Sequence, residues 1–240
     1  AQLAYPGDFD ITGFRRPASY YREAVFGLSM TPYIAVQNPT HYGEYLIKTP
    51  WVISDSTASW NWEGMEGKPA IVEVYAQGDE VELLVNGKSL GKKVAGKEAG
   101  FRTLFETTYE PGTLTAVSYE KDEEIGRSEL KTAGKERTLV VEQETYAGLK
   151  KEEQELVYVQ VEMRDRNGVL AADDNQKITL SVDGEAEVLG FGSGNPKPSY
   201  NFNEGVTELF GGRAQIILKK PDEAVTLTVK TEDGTEGAVT

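Results

Sequence analysis

Residues 60–93 (WNWEGMEGKPAIVEVYAQGDEVELLVNGKSLGKK) constrain the fold more than any other stretch of the chain. Within them, residues 70–76 (AIVEVYA) alternate apolar side chains and are rich in β-branched residues, the signature of a strand. Gln77, Gly78 and Asp79 supply turn chemistry before a second strand at 80–85 (EVELLV). Asn86-Gly87 then offers two neighbouring positions that tolerate positive φ, which predicts a tight hairpin and a return strand over 89–93. A chain that reverses this often at short spacing commits to antiparallel β layers rather than βαβ units.

The same grammar extends in both directions. Residues 102–109, 113–120 and 124–131 read as strands separated by Glu110-Pro111-Gly112 and Lys121-Asp122-Glu123. Residues 33–37 (YIAVQ) read as a first strand, 38–45 (NPTHYGEY) as a loop and 54–59 (SDSTAS) as a polar connector. Short alternating strands with regular turn signals predict a β-sandwich over residues 31–133. Residues 132–136 (TAGKE) read as a linker, and a second β-rich unit follows over 134–240. Its clearest strand is 156–164, with Val157, Val159, Val161 and Met163 on one face and a turn at Asp165-Arg166-Asn167-Gly168. Further strands are read at 137–144, 178–182, 186–190, 206–209, 213–218 and 224–229, with a polar loop at 146–154.

Residues 1–30 differ in kind. Residues 16–26 predict a helix with Pro17 at its first position, Tyr21, Val25 and Leu28 on one face, and Gly27 as its C-terminal cap. The preceding FDITGF reads as a short strand running into a loop. One strand and one helix cannot bury their own apolar faces, so this piece must lean on something else.

Composition then removes whole classes of chemistry. Among 240 residues there is no cysteine and one histidine, which excludes disulfides, thiol catalysis, and Cys- or His-cluster metal sites. A net charge of −14 argues against nucleic acid. No apolar run approaches the roughly 20 residues that span a bilayer, so no membrane insertion is expected. The opening AQLAYPGDFD has neither the basic nor the apolar region of a signal peptide, and both cytoplasmic and secreted or surface locations stay open. No cofactor is called for.

Several of these stretches together resemble the C-terminal part of bacterial β-galactosidases of glycoside hydrolase family 2. The matching segments are GDFDITGFRRPASYYREAVFG, WNWEGMEGK, VEVYAQGDEVELLVNGKSLGKK, VYVQVEMRDRNGVLAADDN, GFGSGNP and FGGRAQIIL, in family order. The resemblance implies that residues 1–30 are the closing strand and helix of a (β/α)8 barrel, with Asp10, Gly13, Phe14, Arg16, Pro17, Tyr20 and Tyr21 matching that motif. It implies a mainly β fold, with two consecutive immunoglobulin-like sandwiches after the barrel remnant. It also implies that the two glutamates hydrolysing the O-glycosyl bond precede this chain, which would then hold no catalytic residue and be inactive alone. The rest of the barrel is the partner expected in cis; β-linked glycans and a homo-oligomer are further open partners.

Asn203-Glu204 and Ser128-Glu129 look like acid/base dipeptides, but both are expected in sandwich turns rather than paired at the roughly 5–5.5 Å of a retaining glycosidase. Residues 190–195 (GFGSGN) fail phosphate-loop spacing, since Asn195 stands where a glycine is needed and Pro196 forbids a following helix. Asp165, Asn167 and Gly168 lack the remaining ligands of a calcium loop. His41 reads as a solvent-facing loop histidine. Trp51, Trp60 and Trp62 are all the tryptophans of the chain. They are either packing residues or a sugar-stacking platform, the latter making the chain a carbohydrate-binding module. A purely structural spacer is the third reading.

Overall fold

The computed structural model describes residues 7–45, 54–145 and 155–240. It is mainly β and divides between Thr132 and Ala133 into two compact units. The first contains helix α1 (Pro17–Val25) and strands β1 (Tyr33–Val36), β2 (Pro69–Tyr75), β3 (Glu80–Val85), β4 (Lys88–Val94), β5 (Arg102–Thr108), β6 (Thr113–Glu120) and β7 (Glu123–Lys131). They form a three-stranded sheet in the order β1-β2-β5 and a four-stranded sheet in the order β4-β3-β6-β7, with antiparallel pairing throughout.

The alternation read in the sequence is what closes this sandwich. Ala70, Val72 and Val74 of β2 point inward and meet Val81, Leu83 and Val85 of β3, with Ile34, Phe105 and Leu114 filling the space between the sheets. Asn86 and Gly87 adopt φ of 51° and 80°, so the β3–β4 hairpin uses the two positive-φ positions that the Asn-Gly pair predicts. Gly78 is fixed for a different reason. A Cβ there would stand 2.3 Å from the Tyr119 carbonyl, so the chain passes too close for any side chain.

Helix α1 begins at Pro17, where a missing N–H costs nothing, and ends at Val25, with Phe26 as its C-cap and Gly27 at φ 66° just beyond. Its buried face is not the one expected. Tyr20, Tyr21 and Ala24 pack on the sheet, whereas Val25 and Leu28 are exposed. The rotation follows from Tyr20, whose ring stacks on Tyr33 at 3.9 Å between centroids and draws that face onto β1.

The second unit contains β8 (Arg137–Gln143), β9 (Leu156–Asp165), β10 (Lys177–Asp183), β11 (Val188–Gly192), β12 (Val206–Glu208), β13 (Arg213–Lys219), β14 (Thr226–Thr231) and β15 (Glu236–Val239). Its two sheets run β11-β13-β9-β8 and β12-β10-β14-β15. Val159, Val161 and Met163 of β9 lie in a core with Ile178, Ile216, Leu218, Leu227 and Val229. Strand β15 went unread because Glu236-Gly237-Ala238-Val239 is too short and glycine-containing to alternate; the backbone of β14 defines it. Strand β11 extends into the GFGSGN motif instead of bending before it. Gly192 permits this, since a Cβ there would lie 2.4 Å from the Phe202 ring. The loop read at 146–154 lies outside the described residues.

Candidate functional site

The most elaborate chemistry of the chain sits on the outer face of the β1-β2-β5 sheet. Alternation sends Ile71, Glu73 and Tyr75 of β2 to that side, opposite the apolar core. Neighbouring strands contribute Tyr33 and Ala35 from β1 and Arg102 from β5, with Tyr75 opposite both Tyr33 and Arg102 in the register. An alternating strand with one face in the core ordinarily leaves the other to water. Here Glu73 and Ala35 are 0% exposed and Tyr75 is 1% exposed, because helix α1 and the chain around the β1–β2 connection cover them.

The helix is seated by aromatic rings. Tyr33 stacks between Tyr20 and Tyr75, and Tyr21 meets Tyr75 edge-on at 5.5 Å. The Tyr21 hydroxyl donates to the Gly100 carbonyl at 3.1 Å, the Gln77 amide donates to the Ala24 carbonyl, and the Arg15 guanidinium lies over the Tyr20 ring at 3.9 Å.

Glu73 satisfies its buried charge completely. Arg102 forks onto both carboxylate oxygens, Nε to Oε2 at 2.8 Å and Nη2 to Oε1 at 2.6 Å. Gln37 Nε2 donates to Oε1 at 2.7 Å, Ser54 Oγ to Oε1 at 2.6 Å, and the Tyr75 hydroxyl to Oε2 at 2.8 Å. Burial alone would raise the Glu73 pKa, but the Arg102 guanidinium and the Ser54 and Gln37 donors hold it below the usual glutamate value. The Tyr75 hydroxyl is pushed strongly upward by burial and by the adjacent carboxylate. The site therefore holds one fixed anion with its counter-ion and no spare acceptor facing outward.

The tryptophans occupy a different place. Trp60 is 0% exposed, packs edge-on against Tyr109 at 4.8 Å, and donates its indole N–H to the Glu110 carbonyl at 2.9 Å. Trp62 is half-buried against the same core, with its N–H on the Ser59 carbonyl at 3.2 Å. Thr132 Oγ1 closes the arrangement by donating to the Trp60 carbonyl at 2.6 Å. A sugar platform needs an open ring face, and Trp60 has none; it is a core residue. Trp51 lies outside the described residues.

The remaining candidates are dispersed. His41 is exposed, and its Nδ1 lies 2.9 Å from Asp55 Oδ2 beside a small hollow of about 100 Å³ lined in part by Tyr42 and Tyr45. Glu204 is exposed and accepts from Asn201 Nδ2 at 2.6 Å, a bond within its own turn. Ser128-Glu129 falls inside strand β7 rather than in a turn, and Glu129 pairs with Lys131 at 2.9 Å. Asp165 does not gather ligands. Its Oδ1 accepts the backbone N–H groups of Asn167 and Val169 and its Oδ2 that of Gly134. Among the described residues no cluster of His, Asp or Glu is arranged to hold a metal ion.

The sequence reading missed Glu73 and Arg102. One signal was present: a lone glutamate between valines in a strand whose next outward residue is a tyrosine. Its burial depends on segments distant in the chain, which periodicity does not report.

Comparison with known proteins agrees with this architecture. Residues 139–240 match the glycoside hydrolase family 2 C-terminal domain 5, and residues 67–126 match a domain of unknown function, DUF4982. The β-galactosidase BoGH2A of Bacteroides ovatus is 29% identical over 190 residues, covering 75% of this chain and 22% of that protein. A crystal structure of a glycosyl hydrolase family 2 member from Bacteroides cellulosilyticus superimposes with a TM-score of 0.83 at 27% identity, covering 97% of this chain and 31% of that one. A β-glycosidase from Bacteroides vulgatus shares the fold, with a TM-score of 0.73 at 21% identity over 97% of this chain and 27% of its own. The chain thus spans less than a third of each of these relatives.

Proposed function

We propose, from the premise that this chain carries C-terminal domains of glycoside hydrolase family 2, that it is the non-catalytic C-terminal region of a β-galactosidase-like retaining glycosidase. In that role it scaffolds and extends a catalytic barrel lying upstream in the parent polypeptide, which supplies both catalytic glutamates. The observation that carries the reading is the two-sided character of the segment around α1. One side is bound to the sandwich through Tyr20, Tyr21 and Ala24. Elsewhere the same segment leaves Phe9, Ile11, Val25, Phe26, Leu28 and Met30 exposed, with Phe26 at 71% and Leu28 at 73%. Six exposed large apolar side chains within one short segment are what an interface would require. A barrel whose closing strand and helix this segment resembles is the partner that fits it.

A free-standing carbohydrate module or a plain spacer has no use for such a segment. The module reading also loses Trp60 to the core and keeps only the half-buried Trp62 among the described tryptophans. The test is turnover of aryl β-galactosides and β-glucuronides by the purified chain and by the longer polypeptide that contains it. The expected outcome is hydrolysis by the longer protein alone. Activity of the isolated chain that survives repurification and vanishes on substituting one of its own carboxylates would overturn the proposal.

A further inference from the structure

Two of the donors around Glu73 come from outside the strands of its sheet. Gln37 lies just past the end of β1, Ser54 lies midway along the β1–β2 connection, and both reach the same oxygen, Oε1. The end of β1 and the middle of that connection are also bridged by paired backbone bonds, Val36 N–H to the Thr57 carbonyl at 2.8 Å and Thr57 N–H to the Val36 carbonyl at 2.9 Å. Ser56 Oγ sits 3.4 Å from the Tyr75 hydroxyl, which itself donates to Glu73 Oε2. Tyr75 is in turn the ring against which Tyr33 and Tyr21 rest, so the carboxylate is linked to helix α1 through one side chain.

The apolar side of β2 is independent of all this. Ala70, Val72 and Val74 fill the core without contribution from the carboxylate. A buried ion pair adds little net stability compared with apolar residues of the same volume, because both charges must be desolvated. What it does provide is direction, since each donor has one place to go. We propose that Glu73 is a positioning residue: a single buried carboxylate that sets the register of the start of the β1–β2 connection at Gln37 and of its middle at residues 54–57, and through Tyr75 the seat of helix α1, on the outer face of the β1-β2-β5 sheet. This concerns the chain by itself and stands or falls apart from the glycosidase reading.

The experiment compares hydrogen–deuterium exchange in the wild-type chain, in Glu73→Gln, and in the paired variant Glu73→Met with Arg102→Met. The single change strands the Arg102 charge, so it loosens the connection and weakens the sandwich together. The paired change removes both charges while keeping apolar volume. It is expected to leave the thermal midpoint and the exchange of β3 and β6 close to wild type. Amides at 37–45 and 54–57 should nevertheless exchange at least about tenfold faster, with a smaller acceleration over α1. That separation of local order from global stability is the signature of positioning. Wild-type exchange at 37–45 and 54–57 in the paired variant would overturn the proposal, because the carboxylate would then serve only to neutralise Arg102. Failure of the paired variant to fold would overturn it as well, since the sandwich itself would then require the pair.

Discussion

Glu73 in the first sandwich and Asp165 in the second are both buried to 5% exposure or less, and the two are held in opposite ways. Asp165, at the end of β9, takes the backbone N–H groups of Asn167 and Val169 at 2.8 and 2.9 Å, and that of Gly134 at 2.8 Å. Two of these donors lie within four residues, and the turn Asp165-Arg166-Asn167-Gly168 presents them by its own geometry. Glu73 takes side chains instead, from Gln37, Ser54, Tyr75 and Arg102, which approach from before, within and after β2. The first arrangement finishes a turn. The second ties long-range segments to a sheet face. Both carboxyls are held below their ordinary pKa against the opposing pull of burial, Glu73 chiefly by Arg102 and Asp165 by backbone N–H groups.

That contrast is open to breakage by substitution. Glu73→Gln leaves the partly buried Arg102 guanidinium without its counter-ion and is expected to cost up to about 3 kcal/mol in the first sandwich. Asp165→Ala removes hydrogen bonds to neutral donors near a turn and is expected to cost about 1–3 kcal/mol in the second. Since all three tryptophans lie at 51, 60 and 62, fluorescence-monitored unfolding reports the first sandwich. Only Glu73→Gln should lower that midpoint, while Asp165→Ala should appear in circular dichroism without moving it. Equal shifts of the tryptophan signal in both variants would erase the distinction.

A smaller effect sharpens the same point through pH. The folded-state pKa of Glu73 is depressed from 4.5, so its contribution is complete above the unfolded value and is lost as pH falls through the folded one. The wild-type midpoint reported by tryptophan should therefore fall with pH below about 4.5, and the Glu73→Gln protein should lose part of that slope. An unchanged slope would mean that Glu73 keeps its proton state on unfolding.

The legibility of the fold follows this same division. Period-two alternation marked the strands that carry Val72, Val74, Val81 and Leu83 into the core, and Asn86-Gly87 marked the hairpin, because those signals are local. The Asp165 turn was visible for the same reason, since its donors lie next to it in sequence. Glu73 was not, because alternation says only that it faces away from the core; whether water or protein waits there depends on Gln37, Ser54 and Arg102. The helix shows the same limit. Its extent and caps were legible, but its buried face was set by the ring of Tyr33 across the sheet, and Val25 and Leu28 turned outward. Trp60 and Trp62 were legible as a pair without revealing whether their ring faces were open. The Trp60 indole N–H on the Glu110 carbonyl and the ring against Tyr109 decided that for Trp60.

The outward turn of those apolar residues leads to the most direct test of the proposed role. Hydroxyl-radical footprinting of Phe26, Leu28 and Met30 would be compared between the isolated chain and the longer polypeptide that contains it. If the segment around α1 docks a catalytic barrel, these side chains are labelled in the isolated chain and protected in the longer one. Equal labelling in both would contradict a scaffolding role for this surface.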